Sequence, residues 1–212
     1  MGNLGDNYAT LDELKKRLQL TDQSGLDDDM EAALEAASRE IERQTHRQFN
    51  KTTTASPRTF EPHSMTRVYV DDFWTETDFG IAVDWNGDGV FEQVWSATDY
   101  ELHPLNGIVE GIPGHPYTNI QASGRKWFRD WFYFPTMARR GIVQVTAQWG
   151  WADVPAPIKQ ACLIMASQDF QLKDAPFGVA GFGEFGAVRV HGTNAIAAGK
   201  LARYDRRPVQ VG

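Results

Sequence analysis

Apolar and polar positions recur along this chain with two periods, and the period changes twice. Leu11, Leu14 and Leu18 fall three and four apart, which lines one face of a helix. Thr10-Leu11-Asp12-Glu13 has the spacing of a capping box, in which a hydroxyl and a carboxylate satisfy each other's backbone donors. Together these predict a helix over 11–19, and the polar stretch 21–25, closed by Gly25, predicts a turn. Met30, Leu34, Ala37 and Ile41 then mark the buried stripe of a longer helix over 27–46. Asp27, Asp28, Asp29 and Glu31 crowd its first turn, where negative charge complements the helix dipole. Arg39, Glu40, Glu42 and Arg43 are expected to face solvent.

From residue 56 the period shortens. Residues 57–62 and 67–70 read as short strands, and 80–85 and 90–95 as strands flanking Asn86-Gly87-Asp88-Gly89, a hairpin turn signal. Residues 99–102 read as another strand and the Pro- and Gly-rich 104–118 as loop. In 141–149 the β-branched Ile142, Val143 and Val145 predict a strand ending at Gly150. Helix returns at Pro155, since Pro155 and Pro157 suit a first turn, and should reach about residue 173. Residues 162–166, Cys-Leu-Ile-Met-Ala, are apolar all round and predict burial on more than one face.

Beyond 175, Gly178, Gly181, Gly183 and Gly186 interrupt a stretch carrying Phe177, Phe182 and Phe185. A strand at 187–190 and a short helix at 194–203 are the only regular elements expected there. This stretch has too few clustered aliphatics to bury itself and is expected to be mobile in the free subunit. The fold class read from the pattern is α+β. A small helical core, two N-terminal helices plus one long helix near 155–173, carries an inserted antiparallel β region and an extended C-terminal tail. The divisions are 1–55, 56–152, 153–174 and 175–212.

Composition narrows the function. A formal net charge of −7 argues against a general nucleic-acid binder, which needs a positive field to neutralise phosphates. Seven Trp, six Tyr and twelve Phe supply large contact areas for a core or an interface. The one cysteine, Cys162, forms no internal disulfide, so the expected compartment is a reducing cytoplasm. No apolar run approaches the ~20 residues of a membrane span, and the N-terminus lacks a signal-peptide pattern.

Chemistry-bearing motifs are sparse. No GxSxG, Walker A loop or GxGxxG ahead of a helix occurs, and the histidines His46, His63, His103, His115 and His191 are scattered. Cys162, amid Leu163, Ile164 and Met165, reads as a packing thiol. Asp71, Asp72 and Asp99 read as acidic turn residues in preference to an acid–base pair. Asp84-Trp85-Asn86-Gly87-Asp88-Gly89 matches the first half of a calcium loop, but the twelfth position is Trp95, where a bidentate Glu is needed. The expectation is a plain turn, with no catalytic residues, no metal and no cofactor.

Residues 125–134 interleave basic and aromatic side chains. That composition marks protein interfaces and single-strand grooves alike, and core plus interface is the preferred reading. The C-terminal phenylalanines and arginines suit docking by short apolar anchors and a positive end. The candidate partner interface is therefore Arg125, Trp127, Arg129, Trp131, Phe177, Phe182, Phe185, Arg203, Arg206 and Arg207.

Three segments carry a family resemblance. Tyr8-Ala9-Thr10-Leu11-Asp12-Glu13-Leu14-Lys15 is one, and Ala36-Ala37-Ser38-Arg39-Glu40-Ile41-Glu42 closing on His46-Arg47-Gln48-Phe49 is another. The third is Gly150-Trp151-Ala152-Asp153-Val154-Pro155-Ala156-Pro157-Ile158-Lys159-Gln160-Ala161, a strand ending in Gly-Trp, then Val-Pro, then a long helix. In order and spacing they resemble the head–tail connector (adaptor) proteins of long-tailed bacteriophages. The resemblance implies a structural virion protein made in the host cytoplasm and placed at the head–tail joint. It implies a dodecameric ring beneath the portal protein, tail-side neck or tail-completion proteins as partners, and double-stranded DNA passing through without sequence-specific binding. It implies no enzyme activity and no membrane. A carbohydrate-binding or adhesive β module, with or without calcium dependence, is the competing reading, carried by the Trp residues and the Asp84–Gly89 loop.

Overall fold

A computed structural model of the chain describes residues 5–21, 24–128, 142–172, 179–181, 187–189 and 195–206. It is an α+β protein of two compact units, Asn50–Asp153 and Leu4–Phe49 with Val154–Gly212. The sheet unit interrupts the helical unit in sequence, between its second and third helices.

In the helical unit, α1 (Leu11–Leu18) starts with the expected capping box: the Thr10 hydroxyl accepts from the Glu13 N–H at 3.2 Å, and the Thr10 N–H donates to the Glu13 carboxylate at 2.9 Å. Helix α2 (Asp27–Thr45) buries Met30, Ala33, Leu34, Ala37 and Ile41, the expected stripe with Ala33 added. It packs on α3 (Ala156–Leu172), which buries Ile158, Ala161, Cys162, Ala166 and Phe170. Small side chains on both helices let the axes approach closely. Leu163, Ile164 and Met165 are only half-buried, which corrects the expectation that 162–166 is enclosed all round. In this unit α3 packs on α1, on α2 and on the C-terminal helix Ala195–Leu201.

Two polar groups tie this core. The Ser38 hydroxyl donates to Leu34 O at 2.7 Å, accepts from the Tyr8 N–H at 3.1 Å and lies 3.5 Å from Cys162 Sγ. The Tyr8 hydroxyl donates to Glu42 at 2.7 Å and accepts from the Phe49 N–H at 3.2 Å. Glu42, expected to face solvent, is therefore drawn half-inward by a buried phenol.

The C-terminal residues 195–206 do not behave as an extended tail. Helix α4 (Ala195–Leu201) buries Ala197 and Leu201, and the following turn sets Tyr204 edge-on to Phe49 at 5.6 Å. Tyr8 meets the same ring edge-on, so Phe49 is held between two tyrosines. The Arg206 N–H donates to Thr45 O at 2.9 Å. Two well-placed apolar residues and one backbone bond dock a segment that lacked a dense aliphatic pattern. A short hairpin pairs β7 (Val179–Gly181) with β8 (Ala187–Arg189).

The sheet unit is an antiparallel sheet in the order β1 (Ser56–Phe60), β6 (Val143–Trp149), β2 (Arg67–Val83), β5 (Tyr117–Ala122), β4 (Tyr100–His103), with β3 (Gln93–Trp95) also on β2. Strand β2 is one element where the sequence predicted two. Its early part pairs β5, its late part pairs β3, and β6 runs along the other edge. Val68 and Val70 point into the core, and so do Phe73, Ile81 and Val83. The inward set thus changes from even to odd positions, and an irregular register between Tyr69 and Phe73 absorbs the extra residue, as a β-bulge does.

Gly150 closes the base of the sheet unit. Its φ is +101°, and a Cβ there would stand 1.8 Å from Asn50 O, so only glycine fits. Its N–H donates to Asp72 O at 2.6 Å, while Trp151 Nε1 donates to the Asp72 carboxylate at 2.9 Å. The expected Gly-Trp signature thus pins the end of β6 to the middle of β2.

Candidate partner interface

The ten residues expected at an interface divide three ways. Arg129, Trp131, Phe177, Phe182, Phe185 and Arg207 lie outside the described residues. Trp127 is fully buried, and its indole stacks on Trp95 with centroids 4.1 Å apart and planes within 3°. It is a core residue of the sheet unit, which removes it from the interface set. Basic neighbours in the sequence masked this: Arg125 and Lys126 stay exposed, while the next two residues, Trp127 and Phe128, turn inward together, and the Trp127 N–H donates to Met65 O at 2.9 Å.

Arg125 is at the surface. It pairs with Asp99 at 3.0 Å and borders an open cleft of about 380 Å³ with Trp85, Gln93, Lys126 and Phe128. The cleft keeps two basic side chains beside a half-buried Trp85, so part of the basic–aromatic signal is expressed as surface. Trp85 and Gln93 come from the far end of the β2–β3 hairpin and were not foreseen as its neighbours. Arg203 and Arg206 belong to the helical unit, Arg203 exposed and Arg206 partly so.

A second surface feature is the loop between β4 and β5. Glu110 and Gly111, both with positive φ, form a tight turn whose flanks Val109 and Ile112 exchange backbone bonds at 3.0 and 2.9 Å. The turn holds Leu105, Ile108, Val109 and Ile112 exposed, Leu105 at 56%. Exposed apolar side chains clustered on one loop are a usual mark of a protein contact.

The acidic residues weighed for catalysis are structural. Asp71 pairs with Arg58 at 2.6 Å, and Asp72 holds Trp151. Asp99 accepts from the Ser96 hydroxyl and N–H, both at 2.8 Å, and these bonds, with Arg125 nearby, hold its carboxyl below the usual range. The Cys162 thiol is pushed up by burial, away from the thiolate a nucleophile needs.

The loop 84–92 joins β2 and β3, so the hairpin is present with a wider turn than a two-residue type. Asp84, 2% exposed, accepts from the N–H groups of Gly87, Asp88 and Gly89 at 2.7, 3.2 and 2.7 Å. Asp88 in turn accepts from the Val90 N–H at 2.8 Å. These bonds account for the loop's shape by themselves. The Asp84, Asp88 and Glu92 carboxylates lie within 4.8 Å of one another. Glu92 stands at the ninth position of the motif, and comparison with the twelfth alone overlooked it.

The described tryptophans give little to a sugar-stacking surface. Trp95, Trp127, Trp149 and Trp151 are buried, and Trp74 and Trp85 are half-buried.

No protein-family model matches the chain, and no curated protein matches it. Its fold has counterparts among solved structures. One is a chain from the neck of an empty gene transfer agent (GTA) particle computed with C6 symmetry: TM-score 0.55, 18% identity, covering 97% of this chain and 93% of that one. Another is from the neck of a native GTA particle computed with C12 symmetry: TM-score 0.51, 15% identity, covering 97% and 92%.

Proposed function

We propose that this chain is a structural protein of the neck of a phage-like particle, an adaptor that forms a ring beneath the portal and joins head to tail. The observation that carries the reading is the end-to-end likeness to chains from particle necks, over both the helical unit and its inserted sheet. The motif resemblance and the absence of an assembled catalytic constellation among the described residues point the same way. In this role the chain acts by shape: copies arranged around an axis extend the DNA channel, and an acidic subunit leaves passing DNA ungripped. The exposed loop around Val109–Ile112 and the Arg125 cleft are surfaces for the portal above or a tail-side neck protein below.

Disrupting the gene in a host that produces the particles tests this. The expected result is DNA-filled heads without attached tails, restored by supplying the intact chain. Normally tailed, DNA-delivering particles from the disrupted host would refute it.

A further inference from the structure

The helical unit presents faces of opposite character on its two sides. On one side the outer ridge of α2 carries Asp28, Glu31 and Glu35, all exposed, with the exposed Ala32 and Ala36 among them. Spacings of three, four and seven set these residues on one stripe, away from Met30, Ala33, Leu34, Ala37 and Ile41, which enter the core. On the other side a groove of about 290 Å³ is bordered by α1, α3 and α4, with Arg17, Leu18, Ile164, Gln168 and Ile196 in its lining. Helix α3 turns Cys162 toward Ser38 of α2. Ile164 and Gln168, two and six residues on, stand on the opposite side of the same helix.

The two faces match in charge and in form. The groove is apolar at Leu18, Ile164 and Ile196, the last 66% exposed, and positive at Arg17 with the exposed Lys16 beside it. The ridge is negative, and its alanines leave room for close approach of a neighbouring helix. A ring with more than two identical subunits is closed by heterologous contacts, in which two different patches of one subunit mate. A contact of this kind needs complementary patches on different sides of the protomer, as found here.

We propose that the outer ridge of α2 in one copy seats in the α1–α3–α4 groove of the next copy. Glu31 and Glu35 meet Arg17 and Lys16, and Ala32 and Ala36 lie over Ile164 and Ile196. The inference rests on the ring-forming reading above and deepens it by naming the faces that close the ring. Charge complementarity sets the register and excludes a ridge-to-ridge pairing, in which carboxylates would oppose carboxylates.

Paired cysteines in the full chain test the contact. Ala36→Cys together with Ile196→Cys should give, on mild oxidation, a ladder of dimers, trimers and larger species. Either substitution alone should leave monomers, because a heterologous contact sets each thiol against an unmodified residue; native Cys162 is buried. Sedimentation supplies a second readout. Arg17→Glu with Lys16→Glu should weaken self-association by about tenfold or more, and adding Glu31→Lys and Glu35→Lys to that chain should restore it. No ladder from the double variant at any concentration, a dimer from a single variant, or a charge swap that fails to restore association would each overturn the proposal. Particle labelling separates this from the neck reading. A chain located at the neck but giving no ladder loses only these faces, whereas a ladder from a chain absent from particles keeps the faces and loses the neck.

Discussion

The two units build their cores from different materials. The helical unit packs Leu34, Ile41, Ile158 and a set of alanines, and its buried polar atoms are joined in short chains from Tyr8 to Glu42 and from Ser38 to Cys162. The sheet unit holds every tryptophan among the described residues. It packs rings on rings: Trp95 on Trp127, Phe73 on Phe79 at 5.1 Å, and Phe60 against Trp149 at 5.7 Å. Small side chains let helices approach and leave Ile164, Met165 and Gln168 of α3 half-buried. Large rings fill the space over a twisted, bulged sheet that aliphatic side chains would leave with voids. The difference teaches where each unit is vulnerable: the sheet unit to lost volume and backbone strain, the helical unit to lost helix contacts.

The largest expected effect is at the base of the sheet unit. Gly150→Val sets a side chain against Asn50 O and forces a β-branched residue to positive φ, so the loss should exceed about 4 kcal/mol. A denaturation midpoint equal to that of the parent would show that the β6–β2 junction is not closed as described. Trp127→Ala comes next, at about 3–5 kcal/mol, because it empties the stacked pair. Retained stability with altered partner binding would return Trp127 to the surface.

In the helical unit Leu34→Ala should cost about 2–5 kcal/mol and Met165→Ala about 1 or less, since Leu34 is 1% exposed and Met165 half-buried. Equal losses in urea titrations would mean that α3 is enclosed on both sides after all. The smallest effect is electrostatic. The Thr10 N–H and the Lys159 ammonium hold the Glu13 carboxyl below its ordinary value of 4.5. A depressed folded pKa contributes stability that is present above the ordinary value and lost as pH falls from there through the folded pKa. Glu13→Gln should therefore flatten the decline of melting temperature on acidification below that value. An unchanged slope would remove Glu13 from the acid response.

The same contrast explains what was legible in the sequence. Helical signals are local: the Thr10 capping box and the Met30–Ile41 stripe each lie within a few turns, and both elements appear with their ends within a residue or so. Strand pairing is not local. The parity change near Asp72 and Phe73 disguised β2 as two strands, and β5, Tyr-Thr-Asn-Ile-Gln-Ala, offers only Ile120 and Ala122 to the core, too little for a recognisable alternation. Around residues 125–128 the mixture of basic and aromatic side chains was legible, and which of them face inward was not. Arg125 and Lys126 came to the surface while Trp127 and Phe128 went inside, because facing in this irregular stretch is decided by distant contacts such as the Trp127 N–H on Met65 O, which composition does not encode. Leu201 and Tyr204 were missed for the same reason, since their partners, α3 and Phe49, lie far upstream.

The central claim is that this chain belongs to a particle neck, and labelling intact particles tests it most directly. With a peptide tag appended to the chain and gold-conjugated antibody viewed by electron microscopy, the account predicts label at the head–tail junction of tailed particles. Particles that carry no label there, while the tagged chain remains in the cell lysate, would contradict it.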